Sequence, residues 1–407
     1  MSVTRRSALK GLSTTALAMG VGSEVEAQST TRAAHASFDP WVEVHAPNLR
    51  ANAAAVQQRA KRPILAVIKN NGYGAGVVNV ARVLEPLESI AGFAVVKLAE
   101  AHALRDAGIR KPVLLMGPAE GAEVADVVRR GVTPMVYTRA ILEHASRAAA
   151  PVDVHVCVDT GLGRVGVPYQ QAEALIRELV ANTRIRIRGL MMTFTEDQSF
   201  DREQLQRFNA LTFKLQGAGI DFGRRHAASS FTLFQHSDAM LDLVRPGMAL
   251  YGIYPEPQFR NSPLLALRPA IALKARVAYV KRLQPGDSAG YNRAYVARSP
   301  SWIATLPVGH ADGLPRVAAK GGRVRINRQL YPIVASVSAS HTIVEIGRER
   351  RVEIGDEATL FDWTAGSRPE DLAAACGASV YDLTMHLNPL LPRRVMAPGL
   401  SSSTPTG

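Results

Sequence analysis

A lysine placed directly after an apolar run is the first residue here that could do chemistry. Ala66-Val67-Ile68 leads into Lys69, and Asn70-Asn71-Gly72-Tyr73-Gly74-Ala75-Gly76 follows. At the mouth of an α/β fold such an amine could be partly desolvated and nucleophilic, able to form a Schiff base with a carbonyl. On position alone the stronger reading is an ordinary solvated lysine at a strand end. Two later segments supply possible partners. His226-Ala227-Ala228-Ser229-Ser230 and Arg245-Pro246-Gly247-Met248-Ala249 offer hydroxyls and Gly-flanked amides, which are good donors to phosphate. A lysine and a phosphate cradle in one mouth point to pyridoxal phosphate (PLP). Cys157 and Cys376 lack metal-ligand spacing, and two cysteines build no disulfide framework, so no metal site is expected.

For these groups to meet, the chain must bring several strand ends together. Short β-rich runs occur at 64–69, 92–97, 112–117, 133–138, 152–159, 187–195, 224–229 and 243–251. Between them, stretches such as 99–107, 122–130, 170–181 and 202–216 place apolar residues at three- and four-residue spacing. Alternating β and α with continuous apolar strands predicts a parallel sheet covered by helices. Eight repeats predict a (β/α)₈ barrel over residues 39–262, with function at the carboxyl ends of its strands. An open doubly wound sheet is the alternative, weakened because no Gly-rich dinucleotide turn follows the first strand. Over residues 263–400 the texture changes to strands at 270–283, 302–308, 323–326, 333–337, 342–346 and 358–361, divided by Gly/Pro/Asp turns. Only 368–375 reads as helix, so this is a second, mostly β domain.

Composition narrows the function classes. The 407 residues are 47% hydrophobic and 20% charged, an ordinary globular balance. The net charge of +13 (48 − 35) comes from scattered Lys and Arg, with no nucleic-acid-binding motif, so a solvated basic surface is the preferred reading. No uninterrupted apolar stretch could span a bilayer. The first residues carry an address. Thr4-Arg5-Arg6-Ser7-Ala8-Leu9-Lys10, a mildly apolar run and Val25-Glu26-Ala27 have the order of a signal peptide over 1–27, of the twin-arginine type. A polar linker over 28–38 follows. The expected destination is periplasmic or secreted, by a route that carries already folded proteins.

At the level of motifs the chain resembles the alanine racemases. The resemblance runs through 66–76, Asp159-Thr160-Gly161-Leu162-Gly163-Arg164-Val165-Gly166, 244–252, Gly290-Tyr291-Asn292-Arg293-Ala294-Tyr295 and Leu306-Pro307-Val308-Gly309-His310-Ala311-Asp312-Gly313. It implies a PLP-dependent racemase that interconverts L- and D-alanine, and a wider set of amino acids, by a two-base mechanism. Lys69 would hold PLP and act as one base. Tyr291 would be the other, donated by the partner subunit of a head-to-tail homodimer. Arg245 would face the pyridine nitrogen and Arg164 the phenolic oxygen. Tyr73, Ser230 and the amides of Gly247 and Met248 would hold the phosphate. Arg164, His310 and Ala339 would meet the substrate, a small-molecule amino acid. Asp159 reads as an orienting carboxylate.

Several residues depart from the family pattern. Thr193 stands where the family has the histidine of Thr-His-Phe. His310 replaces a substrate-side tyrosine, and Ser338-Ala339-Ser340 replaces a Cys/Ser-Met-Asp segment. Cys157 takes the place of a lysine. Asn388-Pro389-Leu390-Leu391-Pro392-Arg393 stands where many relatives place a tyrosine near the phosphate. These changes cluster at the substrate side and imply an altered range. The competing classes are a non-catalytic or degenerate PLP-binding barrel of the cell envelope, and an anionic-polymer-binding envelope protein suggested by charge alone.

Overall fold

The computed structural model describes residues 37–397, apart from 120, 148 and 149. The expected signal peptide, and all of the expected linker before Ser37, lie outside the described residues. The described chain opens with β1 (Trp41–His45) and a helix, Ala46–Ala60. Then come β2 (Ile64–Val67), β3 (Ile90–Val95), β4 (Val113–Leu115), β5 (Val132–Val136), β6 (Val152–Asp159), the short β7 (Val167–Pro168), β8 (Ile185–Met191) and β9 (Arg224–His226). Strands β2-β3-β4-β5-β6-β8-β9 are neighbours in that order, all parallel, and β7 pairs with the end of β6. A parallel bridge from Ile64 to Val244 closes the ring. The Leu65 amide donates to Val244 O at 2.9 Å, and the Arg245 amide to Ala228 O at 2.8 Å. The result is a (β/α)₈ barrel whose strands are apolar on both faces, with Ile64, Ala66 and Phe93 fully buried.

Apart from β6, which ends at Asp159 as the sequence pattern predicts, the barrel strands end earlier than expected. The expected eighth strand, 243–251, pairs only around Val244, and Met248–Tyr251 is a 3₁₀ turn. Pro246 has no N–H to give a ladder, and Gly247 bends the chain at φ −115°, ψ −84°. The first strand stops at Val67 rather than reaching Lys69, the sixth at Met191 and the seventh at His226. Apolar residues continue past each end because they stay buried in the core, as Ile68, Met192 and Ala227 do, so hydrophobicity alone overruns the hydrogen-bonded ladder.

The second sheet contains β10 (Ile271–Arg276), β11 (Tyr279–Leu283), β14 (Ser301–Leu306), β15 (Arg323–Ile326), β16 (Gln329–Val334), β17 (Thr342–Gly347), β18 (Glu357–Phe361) and β19 (Arg393–Met396), while β12 (Ser288–Ala289) and β13 (Tyr295–Val296) pair apart from it. Its order is β11-β14-β17-β16-β15-β18-β10-β1-β19. The run expected as one strand over 270–283 is thus two, widely separated in the sheet. Strand β1, inside the sequence bounds expected for the barrel, belongs to this sheet instead. Its buried Glu43 accepts from Trp41 Nε1 at 3.0 Å and pairs with Lys274 on β10 at 2.9 Å. Two helices lie between β18 and β19, Pro369–Cys376 and Val380–Met385, where the sequence pattern gave only the first.

Candidate active site

Lys69 opens a single turn of left-handed backbone. Asn70, Asn71, Gly72 and Tyr73 all have φ between 54° and 61°. Asn and Gly tolerate this region, whereas Tyr73 adopts it at a cost of roughly 1–2 kcal/mol. The turn is held by the buried carboxylate of Glu100, which accepts from the amides of Asn71 (2.7 Å), Val96 (3.3 Å) and Lys97 (3.2 Å). From above, the helix Val380–Met385 packs so closely that a side chain at Gly74 (φ 86°) would run into Thr384 O. Arg393 Nε also donates to Gly74 O at 2.9 Å.

This turn borders a cavity of about 580 Å³ at the carboxyl ends of the barrel strands. Lys69, Tyr73, Arg164, Ser230, Arg245, Gly247 and Met248 all line it. Burial, and secondarily the charge of Arg164, pull the Lys69 amine below the usual lysine range, against a smaller opposite effect of Glu100. Asp159 accepts from the amides of Gly161 (2.9 Å) and Gly163 (3.1 Å), which orients the loop that carries Arg164. Burial holds the Tyr73 phenol well above its ordinary pKa, so it remains a neutral donor. Ser230 Oγ accepts from the amides of Gly247 (3.0 Å) and Ala249 (3.1 Å), and a side chain at Gly247 would overlap the Tyr73 phenolic oxygen. Cys157 lines the cavity too, but burial pushes its thiol up to about 11, which leaves it an inert small hydrophobe at neutral pH.

At the floor of the cavity Arg245 is fixed by an unusual chain of polar groups. Its NH2 donates to Met192 O at 2.7 Å and its NH1 meets His226 Nδ1 at 2.9 Å. Arginine only donates, so His226 Nδ1 must accept and its proton must sit on Nε2. That Nε2 lies 2.8 Å from His155 Nδ1, which fixes the His155 tautomer in turn. Burial and the nearby Arg245 charge hold His226 well below the usual imidazole range and His155 down to about 4. Both rings are therefore neutral at physiological pH. Burial draws Arg245 itself to about 10, which still leaves it cationic there.

Tyr381, on the second-domain helix Val380–Met385, also lines the cavity and was missed by sequence reasoning. Its ring packs edge-to-face on that of Tyr73 at 5.8 Å. The sequence held a signal for this helix. Ser379 caps it by accepting from the Tyr381 amide at 3.2 Å, and Asp382 follows three residues after the cap.

The remaining expected residues lie elsewhere. Tyr291 stands on a short turn between β12 and β13, 76% exposed, beside a second cavity of about 500 Å³ shared with His310 and Ala339. His310 and Ala311 donate their amides to Ser338 O (2.9 Å) and Ala339 O (3.0 Å), and Arg316 NH2 lies 3.0 Å from His310 Nε2. Tyr291 is absent from the lining of the Lys69 cavity, so one chain does not bring the two expected bases together. Among the described residues no group of His, Cys, Asp and Glu could hold a metal, and no helix is long and apolar enough to cross a membrane.

The first cavity fits pyridoxal phosphate. A partly desolvated amine, hydroxyl and amide donors set around a glycine that admits no side chain, and a buried arginine make up the donor set such a group needs. Residues 44–255 match the family described as alanine racemase, N-terminal domain, and residues 270–395 match alanine racemase, C-terminal domain. The chain belongs to the alanine racemase family. It is similar to the alanine racemase of Desulforamulus reducens, with 34% identity over 87% of this chain and 98% of the relative. That of Carboxydothermus hydrogenoformans is 35% identical over the same shares. The crystal structure of alanine racemase from D-cycloserine-producing Streptomyces lavendulae superposes with a TM-score of 0.83 at 28% identity, covering 90% of this chain and 99% of that one. The Bacillus anthracis alanine racemase, solved with bound L-Ala-P, gives 0.80 at 27% identity over 90% and 97%. As a member of this family the protein is a PLP-dependent racemase. A non-catalytic PLP-binding barrel finds no support among these relatives.

Proposed function

We propose that this protein interconverts L- and D-amino acids, alanine among them, in composite sites formed by two copies of the chain in the compartment outside the cytoplasm. The observation that carries the reading is the convergence of Lys69, Tyr73, Arg164, Ser230, Arg245 and Gly247 on one cavity. When bound, PLP supplies an electron sink for the carbanion left at the substrate Cα. The chain's own groups do the rest. Lys69, lowered by burial and Arg164, serves as the base on one face. Tyr291, exposed on the second domain, serves on the opposite face of a partner's cavity. Arg245 keeps its own proton, because near 10 its guanidinium stays cationic at neutral pH. Ser230, Tyr73 and the Gly247 and Met248 amides anchor the phosphate.

Holoenzyme incubated with L-alanine should yield D-alanine by chiral chromatography, and borohydride reduction should place the pyridoxyl group on Lys69. Labelling at another lysine, or no racemisation of any amino acid, overturns this reading. The small Ala339, in place of a bulkier residue, favours a wider substrate range. One methylene typically shifts discrimination by about 1–3 kcal/mol, so Ala339→Met should narrow the range towards alanine. Arg5 and Arg6 support export by the twin-arginine route. Replacing both with Lys should retain the precursor in the cytoplasm, and normal export of that variant would reject the route.

A further inference from the structure

Glu196 is the only carboxylate among the described residues that line the Lys69 cavity. It follows β8, on the same loop as Thr193, the residue in place of the family histidine. Its position is enforced rather than incidental. Glu196 takes left-handed backbone (φ 68°), a region that costs a non-glycine residue energy. Its amide donates to the fully buried Asp201 at 3.0 Å, and the Thr195 hydroxyl donates to the same oxygen at 3.0 Å. Asp201 is held in turn near His236, whose Nε2 lies 3.4 Å away. The Ser229 hydroxyl favours the ionised form of the Glu196 carboxyl.

No cation is among the groups that act on the Glu196 carboxyl. Desolvation, Asp201 and Glu256 all push the Glu196 carboxyl upward, and only the neutral Ser229 hydroxyl opposes them. The cations of the cavity, Lys69, Arg164 and Arg245, belong to the cofactor and the reacting centre in the proposed function, on which this inference rests. We propose that Glu196 is a specificity-determining residue that favours amino acids with cationic side chains, such as lysine, ornithine and arginine, by pairing with the distal charge of the substrate. A charge-assisted hydrogen bond of this kind is selective because norleucine, which matches lysine in length without the charge, cannot make it.

The test compares kcat/KM for L-lysine, L-norleucine and L-glutamate in the holoenzyme, and calorimetric Kd values for lysine and norleucine. Lysine should exceed norleucine, and glutamate should be the poorest. Glu196→Gln should lower the lysine-to-norleucine ratio about ten-fold, in KM and Kd more than in kcat, the range expected when one charged hydrogen bond is lost. Glu196→Asp should retain part of the preference. A ratio unchanged in Glu196→Gln, an equal fall for both substrates, or a wild-type preference for norleucine or glutamate overturns the proposal. Any of these results alongside racemisation of alanine leaves the broader functional reading standing, whereas absence of all racemisation rejects that reading first.

Discussion

Tyr381 lines the cavity from the second domain and packs against Tyr73, one of the donors proposed for the phosphate. Tyr381→Phe keeps the ring and removes the hydroxyl, so PLP affinity measured by absorbance should fall about five- to ten-fold, the worth of one hydrogen bond. Unchanged affinity would leave Tyr381 as packing alone. A second residue-scale prediction concerns His155. Its pKa is about 6.5 in the unfolded chain and is depressed to about 4 in the fold. Above pH 6.5 both states are neutral and nothing is lost. As pH falls from 6.5 towards 4 the unfolded chain binds a proton that the folded protein refuses, so stability drops, by on the order of 3 kcal/mol for this ring if burial acts in full. His226, lowered well below its ordinary value, adds in the same direction. The urea midpoint should therefore decline between pH 7 and 5, and less steeply in His155→Gln. Equal slopes in the two proteins would place the acid sensitivity elsewhere. Strand-end position pointed to Lys69 and to the segments carrying Ser230, Arg245 and Gly247, because local order fixes where they sit, whereas Tyr73 and Arg164 were legible only through the motifs shared with the family. Tyr381 was not, since nothing local ties position 381 to a turn some 300 residues earlier.

Elements explain where sequence pattern and structure part. A strand is read from apolar runs, but the barrel ends its ladders before the apolar residues stop. At 243–251 the ladder has to end so that the Gly247 and Ala249 amides can reach Ser230 Oγ at the cavity. The alternation of strands and helices was legible because its period is set by burial on both faces of the sheet. The left-handed turn after Lys69 was not, because Asn-Asn-Gly permits such a turn without requiring it. What requires it is Glu100, thirty-one residues on, whose carboxylate takes the Asn71, Val96 and Lys97 amides. Glu100→Ala leaves three amides without that acceptor. It should destabilise the protein by about 1–3 kcal/mol in denaturant titration and weaken PLP binding as Lys69 and Tyr73 lose their setting. If stability falls but cofactor affinity holds, the turn is kept by the overlying helix rather than by Glu100.

At the scale of the whole molecule, the second domain reaches the barrel of its own chain at one place and holds Tyr291 at a separate cavity at another. Strand β19 and the helix Val380–Met385 clamp the Lys69 turn through Arg393 and Thr384. Tyr291, by contrast, sits 76% exposed with His310 and Ala339 at a separate cavity. A cavity with one base can remove a proton but not return it to the opposite face. That shortfall is met if two copies pair head to tail, each bringing its Tyr291 to the other's Lys69, as a closed two-fold assembly allows. Lys69→Ala and Tyr291→Phe proteins should each be inactive. Mixed under conditions of subunit exchange, half of the dimers should be hybrids, and each hybrid has one site with both bases and one with neither. Random pairing therefore predicts recovery of about a quarter of wild-type activity. If exchange is demonstrated by differential labelling and no activity returns, Tyr291 does not serve the partner's cavity.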